Sequence, residues 1–338
     1  MMRLIEIEPE ALDIYVEKEH AEANFLQTSS WGKVYEKDGK KVFYFGLFED
    51  KKMIGSSVVI LKPAKRGRYL EIPGGPLLNW DGDMKVLRFF MKEIAKIAER
   101  EKCVFVRMRP NIPDTDKNRK IAERLKLVKS PMHLHAEHTV MLDITKSEED
   151  LMTEMRRQTR YEVRRAQKLG IKVSYETSDK AFNDFYDLQL QTAERQGFIP
   201  SSRHMILSQH EVFGEKARIY TASLDGKVLA QGEVLMQAPE AIYHEAASTL
   251  DGRKLPGAYA LQWQIIQDAK AMGLKRYNLF GIAPPNSPNH RYAGVTTFKT
   301  GFGGEQVAYL SAHDLVIKPM HYKLVHALET IRKKRRHL

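Results

Sequence analysis

The chain has 338 residues, of which 43% are hydrophobic, and it contains a single cysteine. This length exceeds the size at which one hydrophobic core usually stops growing, so two domains are expected. One cysteine excludes a disulfide within the chain and favours a reducing cytosol. The formal net charge of +11 favours anionic partners such as tRNA, nucleotide diphosphates or an acidic membrane surface.

Neither a membrane-spanning helix nor a secretory signal is expected. No uninterrupted apolar run reaches the roughly 18 residues that a spanning helix needs. The first residues, MMRLIEIEPEALDIY, carry acidic side chains where a signal peptide needs an apolar core. The predicted location is therefore cytoplasmic.

Two parts of the chain resemble each other at a constant offset of 175 residues. FEDKKMIGSSVVI (48–60) matches SLDGKVLAQGEVL (223–235), and each reads as a strand, an acidic turn and a second strand. Residues 83–108 match residues 258–283, and each segment reads as an amphipathic helix followed by a strand. A repeat of this length indicates a duplicated domain, because solenoid repeats have shorter periods.

The order of elements in each copy suggests a GNAT-like (acetyltransferase-like) half. Further helical stretches precede the two copies, at 9–20 and 179–197. The predicted fold is α/β (α+β), with two tandem GNAT-like domains whose mixed central sheets are flanked by helices. The expected domains are 1–147 and 148–318, with the last helix, 319–338, packing back on the first domain.

The turn GRKLPGAYALQW (252–263) is a poor copy of a loop that binds acyl-CoA. Lys254 and Gly257 are correctly spaced, but Pro256 intrudes and Tyr259 replaces a small residue. Backbone amides for a CoA pyrophosphate are therefore not expected here.

Three histidines in MHLHAEH (132–138) imitate a metal site. His133 and His135 share one face of a strand, but no cysteine or aspartate stands near them or His138. The sequence predicts no metal and no cofactor.

A basic helix is predicted over SEEDLMTEMRRQTRYEVRRAQKLG (147–170). Ser147, with Asp150 three residues later, is a capping pair, and Gly170 ends the helix. Four cations at helical spacing share one face: Arg157, Arg160, Arg164 and Lys168. Because a plain solvated face usually mixes both signs, this stripe favours a polyanion. An ordinary solvated surface remains the alternative.

Glycines and aromatic residues surround one lysine in GVTTFKTGFGGE (294–305). The stretch lacks helical periodicity, which predicts a glycine-rich turn that presents Lys299. A β-hairpin with a surface lysine is the simpler interpretation of the same residues.

Four motifs together resemble the FemABX peptidyltransferases: NFLQTSSWGKV (24–34), TRYEVRRAQKLGIKV (159–173), GAYALQWQIIQDAKAMGLKRYNLFGI (257–282) and GVTTFKTGFGG (294–304). The resemblance implies transfer of an amino acid from aminoacyl-tRNA, a co-substrate, to the stem peptide of a peptidoglycan precursor, which builds the interpeptide bridge. It also implies two GNAT-like domains. Between 171 and 200 there is no room for the coiled-coil arm of some members, so an armless, minimal type is expected.

The resemblance assigns roles by position. Lys299 matches the catalytic lysine, which stabilises the oxyanion that forms when an amine attacks the aminoacyl ester. Lys33 in WGKV resembles the lysine that holds the diphosphate of the precursor, and Arg203 in FIPSSR the arginine that assists it. Tyr243 is a candidate contact for sugar or peptide. The basic helix would bind tRNA.

One position departs from the family pattern. Many relatives carry an acid before the proline that ends the last strand of the first domain, whereas this chain has Arg109 before Pro110. A mechanism without a dedicated protein base is therefore expected, with solvent or the tRNA end taking the proton of the amine.

Other possibilities stay open at this point. The rivals are an N-acyltransferase that uses acyl-CoA and a decayed protein that binds tRNA or a membrane surface. The basic tail IRKKRRHL (331–338) suits peripheral contact with anionic lipid at the inner face of the membrane. A monomer is expected.

Overall fold

The computed structural model describes residues 1–64, 67–133, 135–288, 290 and 292–335. The strands are β1 (Met2–Glu6), β2 (Val42–Glu49), β3 (Lys52–Lys62), β4 (Tyr69–Gly74), β5 (Phe105–Pro110), β6 (Val128–Lys129), β7 (His138–Asp143), β8 (Lys172–Glu176), β9 (Ala217–Leu224), β10 (Lys227–Gln237), β11 (Glu240–Ser248), β12 (Arg276–Gly281), β13 (Glu305–Ala308) and β14 (His313–Val316). The helices are α1 (Pro9–Glu19), α2 (Ser29–Lys37), α3 (Met84–Arg100), α4 (Asp116–Arg124), α5 (Glu148–Glu154), α6 (Arg157–Lys168), α7 (Asp179–Gln196), α8 (Arg203–Phe213), α9 (Gly257–Ala271), α10 (Ala293–Thr300) and α11 (Pro319–Arg335).

The chain forms two compact units. The first contains Met1–Glu137 and the C-terminal segment that begins at Ala308. The second contains His138–Ser287 and Tyr292–Val307. The sequence predicts slightly different boundaries, 1–147 and 148–318, with 319–338 packed on the first domain. These boundaries remain a prediction.

The first unit is built on a seven-stranded sheet in the order β1-β2-β3-β4-β5-β14-β6. β4 and β5 are parallel, and the other pairs of neighbours are antiparallel. The apolar face of α3 buries Leu87, Phe90 and Ile94 against this sheet, as their spacing predicts. Asp83 caps α3, because its side chain accepts a hydrogen bond from the backbone of Lys85.

The C-terminal helix α11 packs on β5 in the same unit. Tyr322 and Val325 are buried against Val104 and Phe105. The last turn of α11 carries four cations, Arg332, Lys333, Lys334 and Arg335. The end of the basic tail, residues 336–338, lies outside the described residues.

The second unit has a seven-stranded sheet in the order β13-β7-β12-β11-β10-β9-β8. β11 and β12 are parallel, whereas β10 is antiparallel to both of its neighbours. Helix α9 buries Leu261, Ile265 and Ile266 in the main apolar core of this unit. Eight consecutive residues of β10, from Leu229 to Met236, are buried, so this central strand is covered on both faces of the sheet.

The duplication predicted from the sequence is visible in the strands. β2 and β3 begin at residues 42 and 52, and β9 and β10 begin at 217 and 227, which keeps the offset of 175. A strand, a helix and a strand then follow in both units, as β4-α3-β5 and β11-α9-β12.

No coiled-coil arm is inserted in the second unit. Residues 171–203 are all described, and they form β8, α7 and a short connection to α8. Among the residues that the structure describes, no helix has both the length and the apolar character needed to cross a membrane.

The basic segment at 147–170 forms two helices, so the prediction of one continuous helix was wrong. Ser147 caps α5 as predicted, by accepting a hydrogen bond from the backbone of Asp150. The chain then becomes extended at Met155, with φ −64° and ψ 145°, before α6 begins. Met155 is buried, so packing of its side chain competes with the continuous helical pattern.

Candidate functional site

Lys299 lies on a helix, not on the glycine-rich turn that its sequence suggested. It is in the last turn of α10, which begins at Ala293. Glycine and β-branched residues are poor helix formers, which explains the wrong prediction. The hydroxyls of Thr296 and Thr300 donate to backbone carbonyls four residues earlier, each at 2.8 Å.

The side chain of Lys299 is buried. The residue is 8% exposed, and its Nζ donates a hydrogen bond of 2.9 Å to the carbonyl oxygen of Gly281. Nζ also lies 5.8 Å from the centre of the Tyr243 ring. Burial lowers the pKa of the Lys299 ammonium from 10.5 to about 7. Two of the residues predicted to be functional, Lys299 and Tyr243, are therefore neighbours.

Two parallel strands diverge at this point. β11 and β12 pair only as far as Ile242 and Asn278, although β11 continues to Ser248 and β12 to Gly281. Tyr243 is the first residue of β11 beyond the last pair. Lys299 thus contacts both diverging strands, through the Tyr243 ring on one side and the Gly281 carbonyl on the other.

The first unit has no such gap. β4 and β5 remain paired along their whole length, from Tyr69 with Phe105 to Gly74 with Pro110. Of the two halves, the second is therefore the one in which the two parallel strands separate at this position.

Asn278 shapes the end of β12. Its Oδ1 accepts hydrogen bonds from the Thr139 hydroxyl at 2.6 Å and from the backbone of Phe280 at 2.9 Å. Its Nδ2 donates to a carboxylate oxygen of Glu240 at 3.4 Å. Phe280 has a φ of +57°, a left-handed conformation, and the pairing of β12 with β7 is irregular between Asn278 and Gly281. The roles of Asn278 and Gly281 were not predicted from the sequence, because they depend on contacts with distant residues and with backbone groups that leave little signal in a sequence.

The basic helix α6 begins beside the end of α10. The backbone N–H of Arg156 donates to the carbonyl of Gly301 at 2.9 Å. Its guanidinium donates to the carbonyl of Thr297 at 2.8 Å. The cationic stripe therefore starts next to the helix that carries Lys299.

Three of the four predicted tRNA contacts are exposed: Arg157, Arg164 and Lys168. Arg160 is different, because its Nη1 donates to carbonyls at the end of α5, those of Met152, Thr153 and Met155. These bonds satisfy carbonyls that lack partners at a helix C-terminus. The Arg160 guanidinium thus stabilises the end of α5, where the chain breaks between α5 and α6.

Lys33 and Arg203 occupy corresponding helices of the two units. Lys33 lies in α2, and its Nζ is 3.3 Å from the Glu10 carboxylate. Arg203 begins α8, pairs with Asp187 and stacks over the Tyr186 ring with its Cζ 4.5 Å from the ring centre. Both side chains are well exposed, at 42% and 43%.

Several backbone amides of the turn before α9 donate hydrogen bonds within the protein. The N–H of Gly252 donates to the Thr249 hydroxyl at 3.0 Å, and the N–H of Lys254 donates to Asp251 at 3.0 Å. A Cβ on Gly252 would lie 1.9 Å from the carbonyl oxygen of Leu229, so this glycine permits close packing on β10. The amides of Gly252 and Lys254 are therefore already engaged and not free to bind a pyrophosphate.

Arg109 is buried at the end of β5, at 2% exposure. Its Cζ lies 5.3 Å from the centre of the Tyr309 ring, and burial lowers its pKa to about 10. A buried cation at this position cannot accept a proton from an attacking amine.

The likeness of this chain to known proteins agrees with this geometry. The chain matches the FemAB family over residues 7–231 and 226–330. Aminoacyltransferase FemB of Staphylococcus epidermidis (strain ATCC 12228 / FDA PCI 1200) is 21% identical over 416 residues, covering 98% of this chain and 99% of FemB.

Two solved structures show the same fold. The crystal structure of FemX superposes with a TM-score of 0.83 at 15% identity, covering 96% of this chain and 100% of FemX. A tandem GNAT protein from the clavulanic acid biosynthesis pathway superposes with a TM-score of 0.60 at 11% identity, covering 94% of this chain and 99% of that protein. The prediction of two tandem GNAT-like halves is thereby confirmed. Because the family match extends over both halves, the chain belongs to the FemAB family.

Proposed function

We propose that this protein is an aminoacyltransferase that moves an amino acid from aminoacyl-tRNA to the stem peptide of a peptidoglycan precursor. The observation that carries this proposal is the buried Lys299 ammonium between the diverging ends of β11 and β12. Membership of the FemAB family supports it, as does the name aminoacyltransferase of the relative FemB.

Lys299 is the proposed catalytic residue. When the amine of the stem peptide attacks the aminoacyl ester, a C–N bond forms and negative charge develops on the carbonyl oxygen. The tetrahedral intermediate then collapses, the ester C–O bond breaks, and the ribose oxygen leaves with the proton that the amine gives up. A fixed ammonium stabilises the oxyanion more than the neutral ester, which lowers the barrier.

The burial of Lys299 suits this role. Its pKa near 7 means that the ammonium is poorly stabilised in the free protein. An oxyanion close to Nζ supplies the opposite charge that the site lacks, and it thus favours the protonated form. The buried Arg109 supports a mechanism in which no acid at the end of β5 serves as a base.

Recognition of the precursor is assigned to three residues. Lys33 and Arg203 are proposed to contact its diphosphate, and their exposed cationic groups are now paired with Glu10 and Asp187. A diphosphate offers stronger charge and more acceptors than one carboxylate, so exchange of these exposed pairs is favourable. Tyr243 is proposed to contact sugar or peptide beside Lys299.

The tRNA is proposed to lie along α6. Arg157, Arg164 and Lys168 are exposed, and the helix is anchored to the end of α10 through Arg156. An acceptor stem bound along this stripe would direct its aminoacylated end towards Lys299. We propose a cytoplasmic monomer, with contact of the basic last turn of α11 at the inner membrane face if the precursor is lipid-linked.

A transfer assay tests the proposal. Purified protein is mixed with a pool of aminoacylated tRNAs and, separately, with nucleotide-linked and lipid-linked muropeptide precursors, and products are weighed by mass spectrometry. We expect the mass of one precursor to increase by one amino-acid residue. This increase identifies both the amino acid that is transferred and the precursor that accepts it. No gain on either, together with acylation from acyl-CoA, would support an ordinary GNAT acyltransferase instead.

A further inference from the structure

Three side chains with metal-ligating atoms converge on neighbouring strands of the second unit. They are Glu233 on β10 and His244 and Glu245 on β11, and their ligand atoms all lie within 4.8 Å of one another. The pairing of β10 with β11 is irregular here, since Glu233 pairs with Glu245, Val234 pairs with Tyr243, and His244 is the extra residue. A bulge re-aims a side chain in this way, so two consecutive residues of β11 can both reach Glu233.

Glu233 is a fully buried carboxylate whose only nearby cationic group among the described ion pairs is the His244 imidazole. The residue is 0% exposed, and neither of its side-chain oxygens has a hydrogen-bond partner among the described residues. Nδ1 of His244 lies 3.5 Å from Oε2 of Glu233, which makes a long ion pair when the imidazole is protonated. Buried carboxylates are normally paired, hydrogen-bonded or bound to a metal. The orientation of Glu233 towards the cluster therefore points to a cation.

The charges of the cluster lead to the same conclusion. Two carboxylates face one imidazole, so when both acids are ionised even a protonated His244 leaves one negative charge uncompensated. The cluster is also largely enclosed, because the His244 side chain is only 10% exposed.

The surroundings orient Glu245 as they would a metal ligand. Its carboxylate accepts hydrogen bonds from Nε2 of Gln189 and, at 2.5 Å, from the hydroxyl of Ser201. Such outer hydrogen bonds fix ligating carboxylates in place. Gln189 is 3% exposed and its Oε1 has no hydrogen-bond partner among the described residues, which leaves one more oxygen beside the cluster.

We propose that Glu233, His244 and Glu245 bind one divalent first-row transition-metal ion, either Zn²⁺ or Mn²⁺. One imidazole nitrogen with two carboxylates is a donor set that suits these ions, and it offers no soft sulfur ligand. The ion joins β10 to β11 at the bulge, one residue from Tyr243 and close to the site of Lys299. This site does not depend on the proposed transfer reaction.

The test measures metal binding directly. Untagged full-length protein is analysed for metal content, dialysed against EDTA, and titrated by calorimetry with ZnCl₂ and, separately, with MnCl₂, with no substrate present. We expect one ion per chain, a rise in melting temperature on reloading, and an affinity at least about 100-fold lower in Glu233→Gln. Gln189→Ala, which removes only an outer contact, should lower the affinity about 10–100-fold.

Glu176→Gln on β8 is the matched control, and it should bind the ion as the wild type does. His244→Gln repeats the test if Glu233→Gln does not fold. Absence of binding by the EDTA-treated wild type would overturn the proposal. So would equal affinity in the wild type and in the folded cluster variants, because the ion would then be bound elsewhere.

Discussion

The Nζ atom of Lys299 donates a hydrogen bond of 2.9 Å to the carbonyl oxygen of Gly281, the last residue of β12. This bond fixes the amine at a strand end that has already separated from β11. The amine is buried and has a pKa lowered to about 7. Its proton therefore responds to any charge that arrives nearby.

Replacement of Lys299 by alanine should lower turnover and leave the affinity for the precursor nearly unchanged. The ammonium acts on charge that develops in the transition state, and loss of one such donor costs about 10²–10³ in rate. Values of kcat and KM for the precursor, measured at saturating aminoacyl-tRNA, check this. A large rise in KM with normal kcat would make Lys299 a binding residue instead.

The pH dependence of the reaction should report the same group. Because the protonated form is the active one, kcat/KM should fall as the pH rises through the pKa of Lys299 near 7. Lys299→Arg stays charged throughout this range. We therefore expect lower activity in this variant but no decline on the alkaline side. The same decline in both proteins would assign it to another group.

Removal of Lys299 should stabilise the fold near neutral pH. Since the pKa of Lys299 is about 7 when folded and near 10.5 when unfolded, the unfolded chain binds more protons between these values. The buried Lys299 therefore lowers the free energy of unfolding by its full amount below pH 7. This loss of stability disappears as the pH rises towards 10.5. Lys299→Met should gain up to about 4 kcal/mol at neutral pH and progressively less at higher pH. Urea unfolding at several pH values measures this, with the exposed Lys254→Met as a control that should show no such gain.

The architecture was predictable because it rests on local patterns that the duplication repeats. Two turns show this repetition, one between β2 and β3 and one between β9 and β10. Each turn has an aspartate with a positive φ, Asp50 in the first and Asp225 in the second. The capping pair at Ser147 was equally local. Such short-range chemistry appears directly in a sequence.

The features that were predicted wrongly from the sequence depend on contacts with residues far along the chain. The break between α5 and α6 is held by Arg156, which bonds the carbonyl of Gly301. Lys299 is held by Gly281, on a strand that α10 reaches only in the folded protein. The family resemblance identified Lys299, but the burial that lowers its pKa could not be inferred from its neighbours in sequence.

The buried ion pair of Arg107 with Asp314 should be essential for the first unit. Arg107 donates two hydrogen bonds to Asp314, at 2.8 and 2.9 Å, and Asp314 also accepts one from Tyr322 of α11 at 2.9 Å. Asp314→Asn leaves a buried cation poorly compensated and should cost about 3–5 kcal/mol. Glu329→Gln, at the more exposed end of the same network, should cost on the order of 1 kcal/mol. Equal losses in urea unfolding would contradict this ranking.

The exposed cations of α6 should determine the salt dependence of tRNA binding. Combined substitution of Arg157, Arg164 and Lys168 by glutamine removes up to three phosphate contacts. Each lost contact should make the negative slope of log K against log salt shallower by about 0.7–0.9. Arg160→Gln is the control within the same helix, because its guanidinium bonds the carbonyls at the end of α5. It should lower the melting temperature and leave the slope nearly unchanged. If the triple variant keeps the wild-type slope, the stripe is ordinary solvated surface and the tRNA lies elsewhere.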